Sequence, residues 1–286
     1  MITRAAVASA LLLCVAGTRA EAQTSDIANF VREIRDATAV YQDADRAVRD
    51  GFRPVGPDAP GMGRHWVNIG RVLDGRFDSR RPAVLTYIEV DAALVLAGVA
   101  YAIPLSPGET PPGVFPRTAW HVHAGLVSDE GALFGHDMAP TEVQDQRGVA
   151  VLHVWAWAEN PDGLVTADNW ALPFVRRKLD TPSVERSVLR SAALGLALAD
   201  GADEFVLEIL QRHYLQDEND RTHARHTLAR HAQRQKQRLA AGEVPGTAEL
   251  AATWGACWQE LRSGLSPAGK RSVDQLTGVH AGHTSS

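Results

Sequence analysis

Cysteine is nearly missing from this chain: Cys14 and Cys257 are the only two among 286 residues. Cys14 falls in an N-terminal segment that reads as cleavable, so the mature chain is expected to hold one thiol and no internal disulfide, even in an oxidising compartment. Membrane-length apolar runs are missing too. The run Ala5 to Gly17 covers thirteen small and apolar residues, short of the roughly twenty that a spanning helix needs. No later stretch reaches that length, so no membrane span is expected. Nor is there an excess of basic charge. The formal net charge is −5, which gives no reason to expect nucleic acid as a partner. No Gly-x-Ser-x-Gly occurs, and Gly61-Met62-Gly63 lacks the later acidic residue that a dinucleotide site requires.

The N-terminus carries a positive signal of its own. Arg4 precedes the apolar run, and Ala20-Glu21-Ala22 then supplies small residues at the −3 and −1 positions, with cleavage expected before Gln23. Residues 1–22 therefore read as a secretory signal peptide. Leu13, directly before Cys14, is bulkier than lipoprotein processing accepts. The expectation is a soluble periplasmic or secreted protein of 264 residues with a net charge of −6, since Arg4, Arg19 and Glu21 leave with the signal.

Three patterns divide the remainder. From Asp26 to Asp50, Ile27, Phe30, Val31, Ile34, Thr38, Tyr41, Ala44 and Val48 recur at helical spacing, with Gly51 as a stop. A turn-rich segment, Pro54 to Gly63, follows. His65 to Phe174 reads as β-sheet. Val84–Val90 and Leu94–Ile103 have the composition of a hairpin, Thr118–Ala124 and Ala150–Glu159 that of two further strands, and Asn160-Pro161-Asp162-Gly163 that of a turn. From about Ser183 the pattern turns helical. One stripe runs through Val184, Val188, Leu189, Ala192 and Leu196, a second from Phe205 to Leu239, and a third carries Trp254, Trp258 and Leu261. The predicted fold is α+β: an antiparallel β-rich core, preceded by an amphipathic helix and followed by a helical C-terminal region. Residues 23–180 form the β-rich region with its N-terminal helix, and 181–286 the helical region packed on it.

Eleven histidines are present, and their placement points to a metal. Trp120-His121-Val122-His123 lies in a strand pattern, where alternation sends His121 and His123 to one face. His153 opens the run His153-Val154-Trp155-Ala156-Trp157. If those two strands are neighbours, three imidazoles converge, a ligand set that suits zinc or copper. The second group, His213, His223, His226 and His231, sits among Arg221, Arg225, Arg230, Arg234 and Lys236 and reads as a solvated helix face. Cys257, beside Trp258 in an amphipathic helix, reads as a buried thiol.

A wider set of motifs resembles an uncharacterised family of exported bacterial proteins. Gly61-Met62-Gly63-Arg64-His65-Trp66 matches its glycine-flanked histidine motif. In order follow Arg81-Pro82-Ala83-Val84-Leu85 with Glu89, Gly98-Val99 to Pro104, Leu133-Phe134-Gly135-His136, and His153-Val154-Trp155-Ala156-Trp157 leading into Asn160-Pro161-Asp162-Gly163. The match runs from about Thr38 to Pro173. It implies that His65, His136 and His153 belong to the site, with Glu89 as an acidic neighbour. Two positions depart from the family pattern: Ala100 stands where relatives tend to have an acidic residue, and Trp170-Ala171 replaces the proline usually found after Asn169. The sequence reading is thus an exported protein that binds copper or zinc through His121, His123 and His153, then His65 and His136. Three functions fit it: a metal-dependent enzyme, a non-catalytic metal carrier or sensor, or a binding domain whose histidines are structural.

Overall fold

The computed structural model describes residues 26–123 and 148–278 of the chain. The N-terminal periodicity resolves into two helices, not one. Helix α1 (residues 26–38) runs into a 3-10 turn, Ala39–Gln42, and α2 (Ala44–Arg49) follows. The break comes at Asp43, whose carboxylate accepts the Asp45 N–H and starts a fresh helix. Gly51 then ends α2 with φ +90°, a left-handed conformation that glycine takes without a Cβ clash.

Among the described residues six strands make one antiparallel, curled sheet in the order β1-β2-β3-β4-β6-β5. They are β1 (Arg53–Ala59), β2 (Gly63–Val67), β3 (Val84–Val90), β4 (Ala93–Leu105), β5 (His121–His123) and β6 (Gly148–Val154). Strand β1 occupies the segment that sequence reads as turn. Its prolines are tolerated because β1 is an edge strand with a register shift between Val55 and Ala59. The β3–β4 hairpin forms as expected, turning on Asp91 and Ala92 with φ of 50° and 63°, the two successive positive values of a type I′ turn. Strands β5 and β6 pair antiparallel, His121 opposite Val151. Both are shorter than their sequence patterns: Arg117–Ala119 is a 3-10 turn, and β6 ends at Val154.

Alternation gives the sheet two different faces. One carries Trp66, Leu85, Tyr87, Val99, Tyr101, Leu152 and Val154, and is packed by Phe30, Val31 and Ile34 of α1 together with Tyr41 and Phe52. The buried phenols on this face are satisfied: Tyr87 donates to the Tyr41 carbonyl at 2.5 Å and Tyr101 to the Ser79 carbonyl at 2.7 Å. The other face holds the smaller residues Val84, Ala100, Ala102 and Val149, against which Val72 of α3 (Ile69–Asp74) packs. This second face carries the histidines.

The C-terminal half is helical, with α4 (Leu172–Arg176), α5 (Arg186–Ala197), α6 (Ala202–Ile209), α7 (Glu218–Ala240), α8 (Thr247–Gly264) and α9 (Pro267–Gly278). The single helix expected from Phe205 onward is divided. A π-turn at Leu210–Tyr214 closes α6, and Asp217 opens α7 by accepting the N–H groups of Asn219 and Asp220. Leu194, Val206, Leu228, Trp254 and Leu261 build a helical core that also takes in Ala59 and Met62. The helices therefore meet the β1–β2 hairpin tip. Cys257 lies fully buried in this core, where desolvation pushes its thiol up to about 12. The fold is α+β. Among the described residues no helix is long and apolar enough to cross a membrane.

Candidate metal centre

Strand pairing decides which histidines can meet. One row across the sheet runs His65, Thr86, Gly98, and the next runs Val67, Val84, Ala100, His153. A third places Ala102 beside Val151 and Val151 beside His121. Residues opposite one another share a face, as do residues two apart on a strand. His65, His121 and His153 therefore all stand on the small-residue face, each on a different strand.

On a flat sheet His65 and His153, three strands apart, would be separated by roughly 14 Å at about 4.8 Å per strand. Their ring centroids are instead 5.3 Å apart, and those of His121 and His153 are 5.9 Å apart. Two features permit this approach. The sheet is curled, with a register shift between Thr86 and Tyr87, and the residues between the rings include Gly98 and Ala100, too small to hold them apart. His153 and His121 are almost fully buried at 2 % and 5 % exposure, while His65 is half-buried at the rim.

Two imidazoles bound to one ion at about 2.0–2.1 Å per Zn–N bond and a near-tetrahedral angle bring their ring centres to roughly 5.2 Å. The His65–His153 spacing of 5.3 Å matches that value, and the His121–His153 spacing of 5.9 Å is wider. As the side chains stand, however, no three His, Cys, Asp or Glu residues among the described ones form a group that could hold a metal ion. The convergence is of rings, with His153 in the middle.

Surrounding residues hold His153 in place. The Trp155 indole stacks on it at 6.1 Å and 20°. Trp155 lies over Gly98, where an added Cβ would come within 3.1 Å of the indole. Its own N–H donates to the Thr166 carbonyl at 2.7 Å. The loop that presents Thr166 is built from the Asn160-Pro161-Asp162-Gly163 turn. Asn160 donates to Thr166 Oγ1 at 2.6 Å and to the Asp168 carbonyl at 2.8 Å. Asn169 Nδ2 donates to the Glu159 carbonyl, and its backbone N–H reaches Gly61 O at 2.7 Å, tying this loop to the hairpin that carries His65. These motif residues are scaffolding, and what they support are the histidine-bearing strands.

The remaining sequence candidates are placed as follows. The side chain of His123 and all of His136 lie outside the described residues; the backbone of His123 pairs with Val149. Glu89, expected as an acidic neighbour, is on the opposite face from His65 and exposed. It lines a charged groove with Asp58, Asp91, Arg176, Arg177 and Asp200. Trp66 and Trp120 are core residues of the far face, and Trp157 packs there too, donating to Thr38 Oγ1 at 3.0 Å. Trp155 and Trp157 thus do not share a face, because β6 has ended before them. In the helical region His226 is exposed as expected, but His223 is half-buried and His231 buried. They bond the Leu261 carbonyl at 3.0 Å and Glu260 at 2.8 Å, joining α7 to α8.

No family model matches this chain, and neither a curated protein nor a solved structure matches it. Sequence reasoning overlooked Thr86, a fully buried threonine beside His65 in the sheet. Threonine is ordinary in a strand, and only the strand register sets it apart.

Proposed function

We propose that this is an exported protein that binds one transition metal ion, copper or zinc, through His65, His121 and His153. The observation that carries this reading is the approach of three rings from three separate strands, at 5.3 and 5.9 Å about His153. Three neutral imidazoles suit either metal. The half-exposed rim at His65 favours a position open to an exchangeable ligand over a closed structural cage. An open position supports water activation on zinc or electron handling on copper. It also supports hand-over of the ion by a carrier, which would show saturable uptake and release without turnover.

A ligand that binds only the folded state raises its stability, by about 2.7 kcal/mol at a hundredfold excess over Kd. At about 2–4 °C per kcal/mol for a chain of this size, added zinc or copper should lift the melting temperature by about 5 °C or more, and a chelator should reverse the shift. Identical melting curves with metal and with chelator would contradict the reading. Export has its own test. The intact mass of protein recovered from the extracytoplasmic compartment should correspond to a chain beginning at Gln23, and a species retaining Met1 would overturn the proposed signal.

A further inference from the structure

We infer that a groove beside α3 binds a small molecule through a phosphate group, held by Arg71, Arg76 and Arg81. No histidine lines it, so the site stands with or without a metal. Among the described residues the groove has a volume of about 470 Å³, and Asp74, Asp78 and Phe77 line it together with the three arginines. That volume lies within the roughly 300–1,000 Å³ of small-molecule sites. Three guanidiniums against two carboxylates leave the groove a net positive charge, in a chain whose formal charge is −5.

Arg71 is the fixed member. Its guanidinium stacks over Phe52 at 4.9 Å and Tyr41 at 5.9 Å. It donates to the Tyr41 hydroxyl at 2.9 Å and to the Pro82 carbonyl at 3.0 Å, both neutral acceptors. Asp50 lies beyond Tyr41, which donates to it at 3.1 Å, and is also held by Arg46. Charges withdrawn from water are paired as a rule, yet among the described residues half-buried Arg71 bonds no carboxylate. Arg76 and Arg81 share one acid, standing 3.7 and 3.6 Å from the two oxygens of Asp74. Those distances exceed the roughly 2.7–2.9 Å of a charge-assisted hydrogen bond, so neither donor fork is spent. Asp78 serves its own loop, accepting the Arg80 N–H at 2.9 Å. The loop itself is held in shape, because Tyr101 donates to the Ser79 carbonyl and Phe77 packs on the Tyr101 ring at 4.6 Å. A guanidinium fork matches phosphate oxygens two at a time, and one phosphate group offers several such oxygens to three forks. Phe77 gives the rest of the molecule an apolar wall.

Inorganic phosphate is the probe, titrated calorimetrically into the mature chain at constant ionic strength. Wild type should take up one equivalent with a Kd of about 1 mM or tighter. The side chains of Arg76 and Arg81 are 82 % and 57 % exposed, so Arg76→Gln and Arg81→Gln should melt as wild type does. The double variant should bind phosphate at least about tenfold more weakly, the loss expected when hydrogen bonds to a charged group are removed. Arg71→Lys keeps the charge but not the fork and should also weaken binding about tenfold. Arg225→Gln, on the exposed side of α7, should stay within about twofold of wild type, as a distant surface charge does. Equal affinity in the double variant and wild type would overturn the inference, because phosphate would then sit elsewhere. Wild type that takes up none at about 10 mM would overturn it as well. So would an equal loss in Arg225→Gln, which would show a response to net charge alone.

Discussion

His153→Ala should weaken metal binding by at least about a hundredfold. Even outer partners of metal ligands typically cost 10–100-fold when removed, and His153 is the ring that touches both of the others. The variant should also lose the stabilisation that metal gives wild type. Part of its own instability will be unrelated to metal, because removing a ring that is 2 % exposed leaves a cavity and frees one side of Trp155. His153→Phe refills the volume and separates the two effects: it should recover stability but no metal. His226→Ala, on the exposed side of α7, should match wild type in both respects. Metal binding in His153→Phe equal to that of wild type would return these histidines to a structural role.

The largest loss of stability should come from a residue outside the histidine cluster. Asp168 is 1 % exposed, accepts the Trp170 indole N–H at 2.9 Å, and pairs with the Arg186 guanidinium. It also faces Arg190, whose guanidinium is pushed down from its ordinary range by burial, with Asp168 opposing that shift. Asp168→Ala removes the carboxylate and leaves the buried Trp170 indole N–H and the part-buried Arg190 without it, while Arg186, whose side chain is 45 % exposed, can turn to water, so the loss is about 3 kcal/mol. The melting temperature should fall by about 6–12 °C at 2–4 °C per kcal/mol. Asp168→Asn keeps an acceptor for Trp170 and should fall between the two. A change of less than about 1 kcal/mol, the size of an ordinary surface ion pair, would show that Asp168 is not holding the loop. That loop joins α5, which carries Arg186, to the Thr166 carbonyl under Trp155.

The residues differ in how openly they announce these roles. The strand composition of Val84–Val90 and Leu94–Ile103 and the His-x-His alternation are local, and the hairpin follows from the first; that β5 pairs with β6 is a matter of strand order, which the alternation does not carry. Helix interruptions at Asp43 and Asp217 are harder to read, because an Asp inside an apolar periodicity looks like one more polar position until its carboxylate is seen capping the next turn. The meeting of His65 with His153 is not a local property at all. It depends on sheet curl and on Gly98 and Ala100 lying between them, and strand order is what places those residues there. Motif likeness brought His65 forward, and the register supplies the physical reason. Ala100 gains meaning in the same way. It is the cross-strand partner of His153, so position 100 itself sets a methyl group, and no carboxylate, opposite that ring.

The central claim is that one metal ion belongs to this protein. Its most direct test is elemental analysis of untagged protein purified from its own compartment without added metal or chelator. The account predicts about one equivalent of copper or zinc per chain, one ion for one set of three imidazoles, and little in His153→Phe prepared alongside. Wild-type protein that is folded and contains neither metal would contradict it.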